Sequence, residues 1–306
     1  MKFGKLASIE QVVFELPDFT SNSYDYLSQL TKSKVPAHFY IGCTGWSMKE
    51  WVGQVYPAKA KAKDFLRYYA EQFNTIELNT THYRIPDATT ILKWFEQTPD
   101  DFRFCPKIPQ RISHSKDLGL SGDNIQRFCD AILGLKHKLG CCFMQFPPYF
   151  DVKRLALLKK FLAAFPSTIP LAIELRHESW FQPGNAEWQD LMNFCRKNGV
   201  ATVITDVAGR RDVLHQSITN AKLVVRFVGN GLHPTDYTRV SDWIDTLAKA
   251  YQHKLSEVYF FPHEPDNVLA PQMAAYVLEE AKKRLAVEMR GPDLDKHQEG
   301  TQMSLF

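Results

Sequence analysis

Eight short segments of the chain have the pattern of β-strands, because they are rich in β-branched and aromatic residues and are bounded by glycine, proline or polar residues. These segments are 39–46, 75–84, 102–109, 141–148, 170–177, 201–207, 222–229 and 257–264. Most of the stretches between them have apolar residues at helical spacing. The predicted helices cover 62–73, 89–97, 123–136, 153–165, 187–197, 241–253 and 271–285.

Strict alternation of strands and helices predicts an α/β fold with a parallel sheet, and eight strands is the number that closes a (β/α)8 TIM-type barrel. The rival is an open doubly wound sheet, but no G-x-G-x-x-G follows the first strand. We therefore expect one barrel domain over residues 37–285. Residues 1–36 form an N-terminal extension with a short helix near 24–30, and the polar residues 286–306 form a flexible tail.

Charged residues recur at the ends of the predicted strands, where barrel enzymes place their chemistry. Period-two alternation points Glu77, Asn79, Glu174 and Arg176 away from the helices, while their apolar neighbours face them. Three carboxylates are candidates for acid–base catalysis: Glu77, Glu174 and Asp206. The candidates for substrate binding are Asn79, Tyr83, Lys107, Gln145, Arg176, Arg226, Trp46, Trp180 and His263.

Three cations, Lys107, Arg176 and Arg226, match the three carboxylates in number. A metal cage would have an excess of carboxylates and histidines, so a small-anion site is favoured over a metal, and no metal or other cofactor is predicted. The alternative is a structural ion-pair network without catalysis. Two further features lie near this rim: Glu264 follows His263, and a Gly-Asn-Gly loop at 229–231 could bind phosphate through backbone N–H groups.

Composition limits the functional classes. The chain has 306 residues, of which 44% are hydrophobic and 23% charged, and its net charge of +3 is too small to indicate nucleic-acid binding by bulk electrostatics. None of the six cysteines forms a C-x-x-C pair, which argues against a zinc ribbon and favours a reducing compartment. No stretch approaches the roughly 20 apolar residues of a membrane span. We expect a cytoplasmic protein.

Several motifs together resemble the YecE-like family, a domain of unknown function. They are Gly42-Cys43-Thr44-Gly45-Trp46, Glu77-Leu78-Asn79-Thr80-Thr81-His82-Tyr83-Arg84-Ile85-Pro86, Phe102-Arg103-Phe104-Cys105-Pro106-Lys107, Gln145-Phe146-Pro147-Pro148, Glu174-Leu175-Arg176-His177-Glu178-Ser179-Trp180 and Arg226. The resemblance implies a TIM-type barrel and no particular reaction. It carries over most directly to Glu77, Asn79, Tyr83, Lys107, Gln145, Glu174 and Arg176.

The chain departs from many relatives near its last two predicted strands, with Val228 in place of a histidine and Pro262-His263-Glu264 in place of paired asparagines. The strand 7–8 side of the pocket therefore differs in substrate or role. The family's likeness to zinc-dependent, endonuclease-IV-type barrels is an analogy of fold.

The last five residues resemble the short peptide by which bacterial replication and repair proteins dock on the sliding clamp. In this interpretation Gln302 makes hydrogen bonds, while Leu305 and Phe306 fill an apolar pocket of the clamp. Three functions follow as hypotheses. The first is a hydrolase-type or lyase-type enzyme for a small anionic substrate. The second is a metal-dependent nuclease or phosphoesterase of DNA repair, recruited by the tail, and the third is a non-catalytic binding module.

Overall fold

The computed structural model describes residues 4–31 and 33–296, which contain nine strands and nine α-helices. The strands are β1 (His38–Ile41), β2 (Thr75–Leu78), β3 (Arg103–Pro106), β4 (Cys142–Gln145), β5 (Leu171–Glu174), β6 (Ala201–Asp206), β7 (Lys222–Val228), β8 (Glu257–His263) and β9 (Glu288–Arg290). The helices are α1 (Ser21–Gln29), α2 (Phe65–Gln72), α3 (Ala88–Glu96), α4 (Gln110–Ser113), α5 (Asn124–Leu133), α6 (Leu155–Ala164), α7 (Ala186–Asn198), α8 (Pro234–Gln252) and α9 (Ala270–Arg284).

The strands form two sheets in which every pairing is parallel. Seven strands make one sheet in the order β4-β5-β6-β7-β8-β1-β9, and β2 and β3 pair separately. The predicted α/β class and parallel pairing are therefore confirmed. The predicted closed eight-stranded barrel is wrong, because two strands lie outside the main sheet and a ninth strand, absent from the prediction, lies inside it.

The edge of β1 explains why β2 does not join the main sheet. β9 pairs with β1 from His38 to Tyr40 and occupies the edge that a barrel would offer to β2. Beside it, the amide of Asn74 donates to the carbonyl of Phe39 at 3.0 Å and accepts from the N–H of Ile41 at 2.8 Å. With these backbone groups already satisfied, β1 has no free hydrogen-bonding edge there for a parallel ladder with β2.

The other interruption lies between β3 and β4, which are linked by isolated bridges, Phe104 to Leu139 and Lys107 to Phe143. The predicted strand 75–84 is also much shorter than expected. β2 ends at Leu78, and a 3-10 turn over Asn79–His82 follows, in which the hydroxyl of Thr81 donates to the carbonyl of Leu78 at 2.9 Å.

Apolar residues pack on both sides of the main sheet. The predicted helix 62–73 is confirmed by α2, which buries Phe65, Leu66 and Tyr69 towards the strands. A separate buried cluster on the opposite side of the strands contains Tyr40, Cys105, Cys141, Phe143, Ala172, Ala201, Val203, Val224, Tyr259 and Phe261. Because Cys105 belongs to β3, this cluster joins the two sheets. The charged residues described below lie near the C-terminal ends of the strands.

Both ends of the described chain return to the sheets. The predicted helix near 24–30 corresponds to α1, while residues 4–15, which we call the N-terminal strap, cross the end of the sheet where β6 and β7 finish. β9 lies within the predicted flexible tail, so this part of the tail is ordered. The docking residues Gln302, Leu305 and Phe306 lie outside the described residues. In the part of the chain that the structure describes, no helix combines the length and apolarity needed to cross a membrane.

Candidate functional site

A buried guanidinium joins carboxylates from two strands. Arg226, in β7, donates from Nε and Nη2 to the two carboxylate oxygens of Glu77, in β2, at 2.8 and 2.9 Å. Its Nη1 donates to Oε2 of Glu174, in β5, at 2.9 Å. Charge-assisted bonds of this kind fix orientation as well as adding energy. Arg226 therefore ties the separate β2–β3 pair to the main sheet.

A chain of hydrogen bonds continues from Glu174 to a lysine. Arg176 Nε donates to Glu174 Oε1 at 2.6 Å, and Gln145 Nε2 donates to Glu174 Oε2 at 2.7 Å. The other end of the same amide, Gln145 Oε1, accepts from Lys107 Nζ at 2.9 Å. The amide of Gln145 thus has a fixed orientation, and it separates the ammonium of Lys107 from the carboxylate of Glu174.

Glu77 receives two further donors. Asn79 Nδ2 donates to Glu77 Oε1 at 2.8 Å, and His263 Nε2 lies 3.0 Å from Glu77 Oε2. Burial lowers the pKa of His263 below its ordinary value, and the attraction of Glu77 opposes this only in part. We call the whole set the charged cluster, which consists of Glu77, Asn79, Lys107, Gln145, Glu174, Arg176, Arg226 and His263.

Both carboxylates of the charged cluster are held ionised. Burial by itself would raise the pKa of Glu77, but Arg226 and His263 outweigh it and hold that pKa well below its usual range. Burial would likewise raise the pKa of Glu174, but the positive charges of Arg176 and Arg226 outweigh this effect and lower that pKa to about 2. Neither group exchanges protons near neutral pH, which does not suit the acid–base role predicted for them.

The ammonium of Lys107 also belongs to the charged cluster. Among the described residues its ammonium makes one hydrogen bond, to Gln145, and no ion pair. Burial, followed by the repulsion of Arg226, lowers the pKa of Lys107 to about 8, so that it is still mostly protonated at pH 7. Glu77 and Glu174 thus pair with Arg226 and Arg176, while the ammonium of Lys107 lies in the same cluster with no carboxylate at ion-pair distance among the described residues.

Asp206 does not join the charged cluster. It lies on the side of β6 that faces α8, where Arg239 Nη2 and Trp243 Nε1 each approach its carboxylate to 2.8 Å and Arg211 forms a further ion pair with it. Strand parity explains this position, because Asp206 is two residues after Ile204, which packs against the helices. The apolar character of Ile204 was the sequence signal that assigns Asp206 to the helix side.

A cavity of about 710 Å3 opens beside the charged cluster. Side chains of the charged cluster form part of its lining, while Glu77, Glu174 and Arg176 support these residues from behind. The lining residues are Gly4, Lys5, Leu6, Ala7, Ser8, Ile9, Glu10, Thr44, Asn79, Lys107, Gln145, Val207, Arg226, Val228, Gly229, Asn230, His233, His263, Glu264, Pro265 and Asn267.

Three aromatic residues predicted to bind substrate lie outside this cavity. Trp180 is fully buried and donates from Nε1 to the carbonyl of Phe150 at 2.7 Å, which is a packing role. Trp46 contacts Trp94 edge to face, with ring centroids 5.8 Å apart. Tyr83 is 75% exposed and lies at a shallow recess with His82 and His114, among others.

Glu264 is a cavity residue that the sequence pattern did not single out as a candidate for catalysis or binding. It follows β8 and is 3% exposed, and its Oε2 accepts from the N–H of Gly231 at 2.8 Å. Its Oε1 has no hydrogen-bond partner among the described residues. Burial raises the pKa of Glu264 to about 7. Its place after a predicted strand was visible in the sequence, but its burial depends on the close approach of Gly229, where an added Cβ would lie 2.2 Å from Oε1.

The Gly-Asn-Gly loop at 229–231 does not offer its amides to a ligand. The N–H of Asn230 donates to Asp236 Oδ2 at 2.7 Å, and the N–H of Gly231 donates to Glu264. Since both groups already serve carboxylates of the protein, the predicted phosphate-binding role of this loop has no free donors at these two positions. Within residues 4–31 and 33–296, no three His, Cys, Asp or Glu side chains are grouped so as to hold a metal ion.

Comparison with known proteins identifies the family. A family model described as "Protein of unknown function DUF72" matches residues 40–299. The chain belongs to the DUF72 family. It is 31% identical over 264 residues to UPF0759 protein YecE of Escherichia coli K12, which covers 80% of this chain and 93% of that protein. It is 29% identical over 202 residues to UPF0759 protein YunF of Bacillus subtilis, covering 62% of this chain and 70% of YunF.

Solved DUF72 structures have a related fold. A DUF72 protein of Enterococcus faecalis superposes with a TM-score of 0.66 at 22% identity, covering 83% of this chain and 98% of that one. A DUF72 protein of Thermotoga maritima gives a TM-score of 0.62 at 25% identity, with coverage of 80% and 98%. The names of these DUF72 proteins state no activity.

The DUF72 match covers the charged cluster and leaves out part of the cavity. All residues of the charged cluster lie between residues 40 and 299, whereas the strap residues Gly4–Glu10 precede the match. Val228, His263 and Glu264 also line the cavity. This DUF72 protein therefore combines a charged floor within the family domain with a wall from outside it.

Proposed function

We propose that the protein is an enzyme that binds a small anionic substrate, a carboxylate or a phosphate, over Lys107 in the cavity. The observation that carries this proposal is the buried ammonium of Lys107, which makes no ion pair with the described residues. An ion that is removed from water costs several kcal/mol unless it is paired. Lys107 is 8% exposed and has an amide oxygen as its hydrogen-bond partner, so an anion in the cavity would supply the missing opposite charge.

The surroundings of Lys107 support an anion rather than a second cation. The nearby carboxylates Glu77 and Glu174 are already saturated by guanidinium, amide and imidazole donors. Arg226 lines the same cavity and adds positive potential beside Lys107. A volume of about 710 Å3 lies within the range of pockets that enclose small molecules.

Glu264 is the carboxyl that fits the acid–base part of this proposal. A general acid or base is most effective when its pKa lies near the working pH. The pKa of Glu264 is raised by burial to about 7, and the residue lines the same cavity as Lys107. Glu77 and Glu174 would then orient Arg226 and set the charge of the site, and Glu264 would exchange the proton with the substrate.

Binding is tested by titrating orthophosphate and acetate into the protein by calorimetry. Lys107→Met removes the charge and keeps a side chain of similar length. It should lower the affinity for both anions by roughly 10-fold to 100-fold, the range for one charge-assisted hydrogen bond. Lys160→Met, on the exposed side of α6, is the matched control and should leave affinity unchanged. Equal affinity in the wild type and Lys107→Met, or no binding to the wild type, would overturn the proposal.

Catalysis is tested separately on a panel of phosphomonoesters and carboxylate esters. Glu264→Gln keeps the shape of the side chain and should abolish any turnover of the wild type, with anion affinity within about twofold. Undiminished turnover in Glu264→Gln would assign the proton transfer to another group. Binding without turnover of any substrate would reduce the proposal to a binding module.

A further inference from the structure

The N-terminal strap builds one wall of the cavity. Residues Gly4 to Glu10 line the cavity without a gap, facing the ends of β7 and β8. These residues lie before residue 40, where the match to the family model begins. The charged floor therefore belongs to the part of the chain shared with the family, and this wall does not.

The strap is fastened at one end by two glycines. The N–H of Gly209 donates to the carbonyl oxygen of Gly4 at 3.0 Å. Contact is close on both sides: a Cβ added to Gly209 would lie 2.6 Å from that oxygen, and one added to Gly4 would lie 2.8 Å from the side chain of Val207. Gly4 also has a φ of +70°, which favours glycine. The position of the strap thus depends on the absence of side chains at both Gly4 and Gly209.

The other fastening lies beyond the cavity and is charged. Arg211 Nη2 donates to the carbonyl of Glu15 at 2.6 Å, and the guanidinium of Arg211 lies 5.5 Å from the ring centroid of Phe14. Arg239 lies 4.7 Å from the same ring. Two separate fastenings hold residues 4–15 across the mouth of the cavity, so the wall has a defined position.

The wall brings two apolar side chains to the cavity beside the polar strap residues Lys5, Ser8 and Glu10. Leu6 and Ile9 of the strap line the cavity together with Val207 and Val228 from the ends of β6 and β7, whereas the floor carries Lys107. A ligand whose charged end reaches the floor would place the rest of its body between these apolar side chains. Burying that body is favourable in proportion to its apolar area.

We infer that the N-terminal strap is the specificity-determining wall of this cavity, and that it selects small anions that carry a short apolar body. This inference rests on the proposed function, because the charged end of the ligand has to bind at Lys107. The charged cluster thus provides the binding of anions, and the strap determines which anions bind with higher affinity.

The test measures the affinities of acetate, butyrate and hexanoate for the full-length protein. For the wild type, affinity should rise by roughly threefold per added methylene, close to the transfer free energy of a buried CH2 group. Gly209→Ala, which displaces Gly4, and the double variant Leu6→Ala/Ile9→Ala should keep the acetate affinity of the wild type within about twofold. In both variants the gain per methylene should fall below about 1.5-fold.

Two matched controls accompany these variants. Gly122→Ala makes the same change as Gly209→Ala at an exposed turn where the nearest atom to the new Cβ is 4.0 Å away. Leu92→Ala removes a leucine that is 55% exposed on α3, away from the cavity. Both controls should retain the full gain with chain length, and melting temperatures would show whether any variant has lost its fold.

The outcomes separate this inference from the function on which it rests. Acetate binding with no gain in affinity for the longer acids, or a full gain in the strap variants, would overturn the role of the strap and leave the anion site intact. If none of the three acids binds the wild type, the anion site and the role of the strap are both wrong.

Discussion

Arg226 and Glu77 are joined by two parallel hydrogen bonds of 2.8 and 2.9 Å between side chains that are 2% and 0% exposed. The bonds connect β7 of the main sheet to β2 of the separate pair. Within residues 4–31 and 33–296, no backbone ladder joins the two sheets. The charged cluster therefore has a structural role. A structural ion-pair network and an anion site, which the sequence offers as alternatives, would share the same residues.

Arg226→Met should destabilise the protein by about 3–5 kcal/mol, since removing one partner of a buried pair leaves uncompensated carboxylates. The measurement is the free energy of unfolding in urea. Arg67→Met is the matched control, because its ion pair with Glu71 is 47% and 42% exposed and such pairs contribute about 1 kcal/mol or less. A similar, small loss in both variants would show that the pair with Glu77 does not hold the sheets together.

Anion affinity should fall with a pH midpoint near 8. The pKa of Lys107 is lowered to about 8, so the ammonium is charged below this pH and neutral above it. In Glu264→Gln, which removes the other cavity group that titrates near neutral pH, acetate affinity should be nearly constant between pH 6 and 7 and should fall by about tenfold per pH unit above pH 8. Adding Lys107→Arg, which retains its charge over this range, should remove the pH dependence. A pH-independent affinity in Glu264→Gln would exclude Lys107 as the anion-binding group.

Stability should depend on Glu264 between about pH 4.5 and 7. The pKa of Glu264 is about 7 in the folded protein, against an ordinary value of 4.5, so in this window the folded state holds a proton that the unfolded state has lost. The free energy of unfolding contributed by this group therefore decreases as pH rises, by up to about 3 kcal/mol across the window.

Comparing unfolding curves of the wild type and Glu264→Gln at pH 4.5, 6 and 8 measures this contribution. Relative to the wild type, Glu264→Gln should become progressively more stable as pH rises. Glu187→Gln, at an exposed position on α7, serves as the control and should run parallel to the wild type. Parallel curves for Glu264→Gln as well would mean that the pKa of Glu264 is not raised.

Asp206→Asn should reduce stability and leave anion affinity within about twofold. Asp206 is 1% exposed and pairs with Arg239 and Arg211 on the helix side of β6, so losing its charge should cost about 3 kcal/mol. Asp212→Asn disrupts an ion pair whose carboxylate is 43% exposed and should change stability by less than about 1 kcal/mol. A large loss of acetate affinity in Asp206→Asn would show that Asp206 contributes to anion binding after all.

Period-two alternation in the sequence is sufficient to group several residues of the charged cluster. Glu77, Glu174 and Arg226 point to the same place because each alternates with apolar neighbours that pack against helices, and local pattern carries that information. The same rule places Asp206 with Ile204 on the helix side. The prediction that Asp206 joins the others relied on its position at a strand end and neglected this parity.

The local sequence pattern could not predict that the sheet stays open between β1 and β2. This depends on a three-residue strand, β9, and on one side chain, Asn74, which makes hydrogen bonds to backbone groups of β1. A strand this short and a single side chain leave no recognisable strand pattern in the sequence. The pKa of Glu264 is similarly non-local, because its burial depends on how closely Gly229 packs against it.

The pairing of β1 has a consequence for the order of folding. β1 spans His38–Ile41, and its two partners, β8 and β9, are Glu257–His263 and Glu288–Arg290. During synthesis, more than two hundred residues are added after β1 before β8, the first of its two strand partners, is complete. Contacts of such sequence separation fold slowly and leave strand edges open to aggregation. The nascent chain therefore carries its first strand without a strand partner on either edge until β8 has been synthesised.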